Sequence, residues 1–459
     1  MKREQAKTIT LTLLTVISII LTWNIWTFQP NYDYIQRSEY LETQGLSEPG
    51  KTKLISDVIR PQQIFYHNDK KHLGTFNPIT INKAWSLMMG WNIEGSRVVT
   101  DEHKGNFLNW LQGEDGEKKA EFVLPDEIHT DTLQAIFSKW KQQKYPSSFD
   151  RIMIPLKDSY NSKRQSPIYF VSYQNQLVVE AEVSESEIQQ LDKQVFGPLF
   201  SFEPYEAEEI SPSLMLMLPK QSLNLKHYTY DTASYQPDTF KQVMFDNPNS
   251  PNTPVISQQK ESGMIEYTDT SHFLEVSPNE KKMTFRRTAA PALSPDAPQL
   301  IQQSIDFLNN HRGWTDNYMF FRMNNAANSA VSFRLKLKNG VPVFPSDENP
   351  FGPTDIVEEW GSSDIARYVR PTYRLKSEVN NSDQSIMSGS ELMKNLKKRP
   401  DLYNPKTVKN IFPGYEMSAS DRSQMVNIDP AWFIETKDGR IKAIHFDNRV
   451  IRGKANGLE

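Results

Sequence analysis

The sequence predicts an α+β protein: a single N-terminal transmembrane helix followed by a multi-domain extracytoplasmic body of antiparallel sheets with helices packed on them. Three observations lead there. Residues 9–28, ITLTLLTVISIILTWNIWTF, hold no charge, and a helix of that length spans about 30 Å, the thickness of a bilayer's hydrocarbon core. Beyond it, helical stripes recur among hairpin signals, the pattern of helices laid on antiparallel sheets. Cysteine is absent, so a large body must hold together by its core alone, without disulfides, thiolate metal sites or a lipid-modified cysteine.

The span is oriented by its flanks. Lys2, Arg3 and Lys7 against Glu4 precede it, and no cation follows until Arg37. Positive charge stays on the cytoplasmic side, which places residues 1–8 inside and the body outside. A cleaved signal peptide would have a shorter apolar core and small residues at its end. This run ends in Trp23, Trp26 and Phe28, which suit a membrane–water boundary and a retained anchor. Of the net charge of −4, the N-terminal segment holds +2, leaving about −6 outside. That balance favours neither nucleic acid nor anionic lipid. On a helical wheel Thr8, Thr12, Thr15, Ile19, Thr22 and Trp26 fall within about 80° of one another, at the four–three spacing of a helix-pairing seam. They are the candidate partner contacts in the membrane; hydroxyls can bond across such a seam or back to their own helix.

Residues 29–60 read as a juxtamembrane linker. A strand at Gln62–His67 and a helix at Thr80–Gly90 follow, the latter from the spacing of Ile81, Trp85, Met88 and Met89. Leu133, Ile136, Phe137 and Trp140 predict a helix over Thr130–Lys144. Arg151–Ile154 is a strand, Ile168–Tyr173 and Leu177–Val183 a hairpin, and Ser184 with Glu187 a reciprocal helix cap. These make an N-terminal extracytoplasmic domain, 61–205. A central domain, 206–290, holds strands at Leu214–Leu218 and Leu223–Tyr230, a helix at Thr239–Phe245, a Pro/Asn-rich loop at Asp246–Pro254, and a meander from Met264 to Arg287. The C-terminal domain, 291–459, opens with a Ser294–Pro295 helix start and a stripe of Leu300, Ile301, Ser304, Ile305 and Leu308. Tyr318–Met323 and Ala330–Lys338 pair next, and Asn339–Gly340 turns into Val341–Phe344. A second unit repeats the helix-plus-hairpin plan: a helix at Ser390–Lys398, strands at Gly414–Met417 and Pro430–Glu435, and an Asp438–Gly439 turn into Arg440–Phe446.

Catalytic motifs are missing. H-E-x-x-H and G-x-S-x-G do not occur, and of the eight histidines only His67 and His72 lie close. Ser138–Lys141 and Ser257–Lys260 match S-x-x-K, but K-T-G is absent. Glu208–Glu209 and Glu358–Glu359 read as solvated surface acids. The expectation is a non-enzyme with no catalytic residues, metal or cofactor.

Leu21-Thr22-Trp23-Asn24-Ile25-Trp26, Pro30-Asn31-Tyr32-Asp33, Val58-Ile59-Arg60-Pro61 and Tyr368-Val369-Arg370-Pro371-Thr372-Tyr373, in this order, resemble the YycH (WalH) family over the whole chain. The resemblance implies a cell-membrane regulator of the essential WalK–WalR (YycG–YycF) two-component system, which controls cell-wall metabolism. It further implies action with YycI, a single-span protein, on the sensor kinase WalK through membrane helices, in the sense of restraint. The alternative is an extracytoplasmic cell-wall sensor or enzyme merely tethered by the span.

Overall fold

The computed structural model describes residues 51–446, apart from 70, 104, 114–115, 141–146, 252–253, 289–296, 325–328, 362–363 and 423, together with positions 5, 7, 14, 15, 17, 18 and 46. A short helix, Ile55–Val58, leads into a hairpin of β1 (Gln63–Asn68) and β2 (Lys71–Thr75). Asn77 then starts the helix Pro78–Met89: its side-chain oxygen accepts from the N–H groups of Ile79 and Thr80, and proline occupies the first helical position. β3 (Glu94–Val98), the helix Phe107–Leu111, β4 (Lys118–His129), the helix Thr130–Ile136 and β5 (Ser148–Leu156) follow. β6 (Gln165–Ser172) and β7 (Leu177–Ser184) form the expected hairpin, and Ser184 and Glu187 the expected cap of the helix Glu185–Leu191. With β8 (Glu203–Ser211) and β9 (Leu214–Pro219) these strands make a nine-stranded antiparallel sheet, ordered β3-β7-β6-β5-β4-β1-β2-β8-β9. Strand periodicity sorts its faces. Ile152, Ile154, Ile168, Phe170 and Val179 enter the main core, while Met153, Val171 and Val178 pack with Phe107, Trp110 and Leu111 on the opposite face.

The remainder interleaves two sheets. β10 (Leu223–Ser234) precedes the helix Pro237–Met244 and the meander of β11 (Ile256–Gln259), β12 (Ile265–Thr268), β13 (His272–Ser277) and β14 (Lys282–Arg287). The helix Ala297–Asn310 is followed by β15 (Tyr318–Asn324), β16 (Ala330–Leu335), β17 (Val343–Pro345), β18 (Asp355–Trp360), β19 (Ile365–Pro371) and β20 (Tyr373–Ile386). The helix Gly389–Leu396, β21 (Val408–Ala419), β22 (Met425–Thr436) and β23 (Ile441–Ala443) complete the described chain. An eight-stranded sheet runs β11-β12-β13-β14-β19-β18-β16-β15; a six-stranded one runs β17-β21-β22-β10-β20, with β23 beside β22. The body is thus α+β, with antiparallel sheets and helices packed on them.

Several details depart from expectation. The boundary expected at 205 falls inside β8, which extends the first sheet to Pro219. Segment 206–290 has no sheet of its own, because β14 pairs with β19 and β10 with both β20 and β22. The described residues from 46 to 446 form one compact unit. The helix expected over Thr130–Lys144 stops at Ile136: Trp140 leaves the helical path and stacks on Phe170, 4.3 Å between ring centroids and 11° between planes. The stripe is still buried, and residues 141–146 lie outside the described set. At Asn339–Gly340 the return strand is cut short. Pro342 bridges Lys336 but has no N–H to extend the ladder, and Val343–Pro345 crosses over to pair in parallel with β21. The Ser294–Pro295 helix start lies outside the described residues.

The end of the expected linker is also part of the fold. Lys53 N–H donates to Asn309 Oδ1, Asn309 Nδ2 donates to the Lys53 carbonyl, and Lys53 Nζ reaches the Tyr318 carbonyl at 2.7 Å while lying 4.4 Å from the centre of the Trp314 ring. Burial, and secondarily the charge of Arg60, pushes the Lys53 ammonium down to about 8. Val58 and Ile59 are fully buried beyond it.

Candidate functional site

Of the candidate membrane seam Thr8, Thr12, Thr15, Ile19, Thr22 and Trp26, only Thr15 belongs to the described residues; it is helical and exposed. Among the described residues no helix is long and apolar enough to cross a membrane. The expected span at 9–28 lies almost wholly outside that set.

Inside the body the structure assembles polar groups that sequence spacing did not connect. The β1–β2 register places His67 opposite His72, with Asp69 turning the hairpin at φ +51°. Their Nδ1 atoms are 2.9 Å apart; His67 Nε2 lies 3.0 Å from Glu121 Oε2, and Arg151 Nη1 donates to Glu121 Oε1 at 2.5 Å. Arg151 also lies 4.5 Å from the centre of the Tyr173 ring. Bonding to an ionised Glu121 puts the His67 proton on Nε2, so in the neutral pair His72 donates through Nδ1. Burial, then the neighbouring His67, pushes the His72 imidazole down to about 4. Burial alone would raise the Glu121 carboxyl; Arg151 and the His67 bond outweigh it and hold it below the usual range. The node opens on a cavity of about 110 Å³ lined from the first sheet by Phe65, Tyr173 and Met215 and from the six-stranded sheet by Phe412 and Trp432. Among the described residues no group of three His, Asp or Glu is placed to hold a metal.

A second node contains the Tyr368–Tyr373 motif. Arg370 is fully buried: Nη1 donates to the Gly313 carbonyl and to Tyr368 Oη, each at 3.0 Å, Nη2 to Thr315 Oγ1 at 2.8 Å, and Nε to the Pro371 carbonyl at 3.3 Å. Gly313 is required by this approach, since a Cβ there would lie 2.7 Å from Leu308 Cδ2 and 3.3 Å from Arg370 Nη1. Nearby, burial pushes the Asp316 carboxyl up to about 7 while its Oδ1 accepts from Leu375 N–H.

Glu358 corrects the reading of Glu358–Glu359 as two surface acids. Adjacent strand residues face opposite sides, so Glu359 pairs with Arg367 outside and Glu358 is fully buried. Trp360 Nε1 donates to Ser304 Oγ, and neither carboxyl oxygen of Glu358 has a hydrogen-bond partner. Burial keeps that carboxyl protonated far above its ordinary range. The native state therefore retains a proton that the unfolded chain releases above about pH 4.5, and stability falls as pH rises. Glu358→Gln is expected to stabilise the protein by about 1–3 kcal/mol at neutral pH. In thermal melts its advantage should grow from pH 5 to pH 8; an advantage that stays constant would contradict the assignment.

The S-x-x-K matches do not assemble. Ser138 stands in an exposed turn and Lys141 lies outside the described residues; Lys260 is paired with Glu266 at 3.0 Å. Glu208 pairs with Lys397.

Fold and interior together define a multi-sheet α+β body of a kind already seen among solved structures. The crystal structure of YycH from Bacillus subtilis superposes with a TM-score of 0.73 at 27% identity, covering 85% of this chain and 97% of that one. Residues 4–196 match the YycH protein N-terminal domain and residues 214–449 the YycH protein C-terminal domain. The two-component system WalR/WalK regulatory protein YycH of Bacillus subtilis (strain 168) is 30% identical over the full length of both chains. The chain belongs to the YycH family.

Proposed function

We propose that the chain is a membrane-anchored regulator of a WalK–WalR-type two-component system, acting on the sensor kinase together with a YycI-like single-span protein. The observation that supports this reading is the full-length 30% identity to a WalR/WalK regulatory protein. In it, residues 9–28 anchor the chain in the cell membrane, residues 1–8 are cytoplasmic, and the body is extracytoplasmic. Thr8, Thr12, Thr15, Ile19, Thr22 and Trp26 form the seam that meets the partners' helices. The chain restrains the kinase by binding one of its conformations more tightly than the other.

A kinase-dependent reporter comparing the full-length chain, the span alone and the exterior alone tests the proposal. The full chain and the span alone should both restrain output. Restraint by the exterior alone would instead favour a sensor that the span merely tethers. Interhelical hydroxyl bonds are worth about 0.6 kcal/mol each, so Thr12, Thr15 and Thr22 together replaced by leucine should weaken co-purification with the kinase's membrane segment about twentyfold. Unchanged co-purification would remove the seam from the proposal.

A further inference from the structure

Phe200 is 95% exposed although Phe196 and Phe202, on either side of it, are buried and pack on each other with centroids 5.7 Å apart. Its position is fixed by its neighbours. Leu199 adopts φ +49°, its carbonyl accepts from Phe202 N–H, and Ser201 Oγ lies 2.8 Å from Thr80 Oγ1. A leucine held in the left-handed region and a ring held in water are both unfavourable unless the surroundings impose them. The Thr80–Ser201 bond joins the residue after Ile79, itself 78% exposed, to the residue after Phe200.

Pro78 and Ser201, the sequence neighbours of Ile79 and Phe200, line a cavity of about 390 Å³ where four loops converge: the start of the helix Pro78–Met89, the approach to β8, the β9–β10 turn and the Asn339 turn. The volume falls within the range of about 300–1,000 Å³ of small-molecule sites. Its polar lining is neutral apart from one carboxylate. Asn77, Ser201, Gln221, Ser222, Asn224 and Asn339 contribute amides and hydroxyls, and Glu203 is the one charged side chain among the described residues lining it. The cavity beside Arg322 and Arg334 differs, being lined also by Asp347, Asp355 and Glu416.

Two of the amides are already oriented. Asn77 Oδ1 is turned to its helix and Asn224 Oδ1 accepts from Ser385 Oγ at 2.6 Å, which leaves both NH₂ groups for a ligand. Gln221 and Ser222 are exposed in the β9–β10 turn. Fixed amide donors, adaptable hydroxyls and a projecting aromatic ring match a ligand that is uncharged, rich in hydroxyl or acetamido groups, and apolar on the C–H face of its rings.

We propose that this cavity and its aromatic rim bind a neutral oligosaccharide, with Phe200 stacked on a pyranose face and the amides of Asn77, Gln221 and Asn224 bonded to hydroxyl or acetamido groups. The test uses the full chain in nanodiscs free of sugar-headed detergent, titrated with chitotetraose and, separately, cellotetraose by calorimetry. At least one is expected to bind with a dissociation constant on the order of 0.1–1 mM. The affinity should be unchanged from about 50 to about 500 mM salt, since no charge is involved. Phe200→Ala should weaken binding about tenfold or more, and Gln221→Ala several-fold, with melting temperatures unchanged because both side chains are exposed. Absence of saturable binding of either sugar by about 10 mM would overturn the proposal. So would a Phe200→Ala variant that keeps sugar affinity but loses co-purification with the kinase, which would make Phe200 a protein-docking residue.

Discussion

Arg370→Ala is expected to cost about 3–5 kcal/mol of stability. Its guanidinium is buried completely and satisfied by the Gly313 and Pro371 carbonyls, Tyr368 Oη and Thr315 Oγ1. Truncation removes those donors at once and leaves buried acceptors without partners beside a cavity. Arg367, on the same strand, is the control: its side chain is 46% exposed in its pair with Glu359, so Arg367→Ala should shift stability by no more than about 0.5 kcal/mol. Denaturant melts of both variants provide the comparison. Equal, small effects would mean that the Arg370 network is not what holds the 311–317 loop between the helix Ala297–Asn310 and β15.

The second large effect is acid sensitivity at the histidine node. His72 is neutral in the native state with its imidazole near 4, whereas in the unfolded chain it regains its ordinary value of 6.5. Between those values the unfolded state binds more protons, so stability is lost as pH falls from 6.5 towards 4, by on the order of 3 kcal/mol. Glu121, held below the usual carboxylate range, adds a loss in the same direction at still lower pH. The groups facing the node are His67, Asp69, Arg151 and Asp150, so the acid transition belongs to the network as a whole. Glu121→Gln leaves buried Arg151 with only the more distant Asp150 carboxylate, 3.8 Å away, and should cost about 3 kcal/mol at neutral pH. His72→Phe should flatten the slope of stability against pH between 4 and 6.5. A wild-type melting temperature constant across that interval would refute the assignment.

How much of this was legible in the sequence depends on whether the signal was local. Ser184 with Glu187, the hairpin on either side of Gln174–Gln176, and the stripe Leu300, Ile301, Ser304, Ile305, Leu308 are written within a few residues, and each forms where spacing placed it. The overlong helix after Thr130 failed because burial of Trp140 was read as helical, when a stacked ring on Phe170 buries it equally well off the helix. A separate central domain does not form for a different reason: composition marks turns, but β10 and β14 select strands more than 75 residues further along. The histidine node was half visible. His67 and His72 flank a tight turn, and strand register makes such residues cross-strand neighbours, whereas Glu121 and Arg151 arrive from β4 and β5 with no spacing rule to announce them. The cavity lined by Ser201 had no sequence signal, since its amides come from three separate segments and two of them also serve as a helix cap and a turn.

The pairing of β10 has a consequence for the order in which the chain can acquire its structure. Both of its neighbours, β20 and β22, lie later in the sequence by well over a hundred residues. Strands 223–234 are made early but have nothing to close against until residues 373–436 exist. Closing so long a loop is slow, and an unpaired strand meanwhile exposes its ladder to other chains. β10 is therefore among the last strands able to pair, and its time in waiting is set by the arrival of β20 and β22. Until then the apolar side chains at Leu223 and Leu225 are an aggregation hazard that only the completed chain removes.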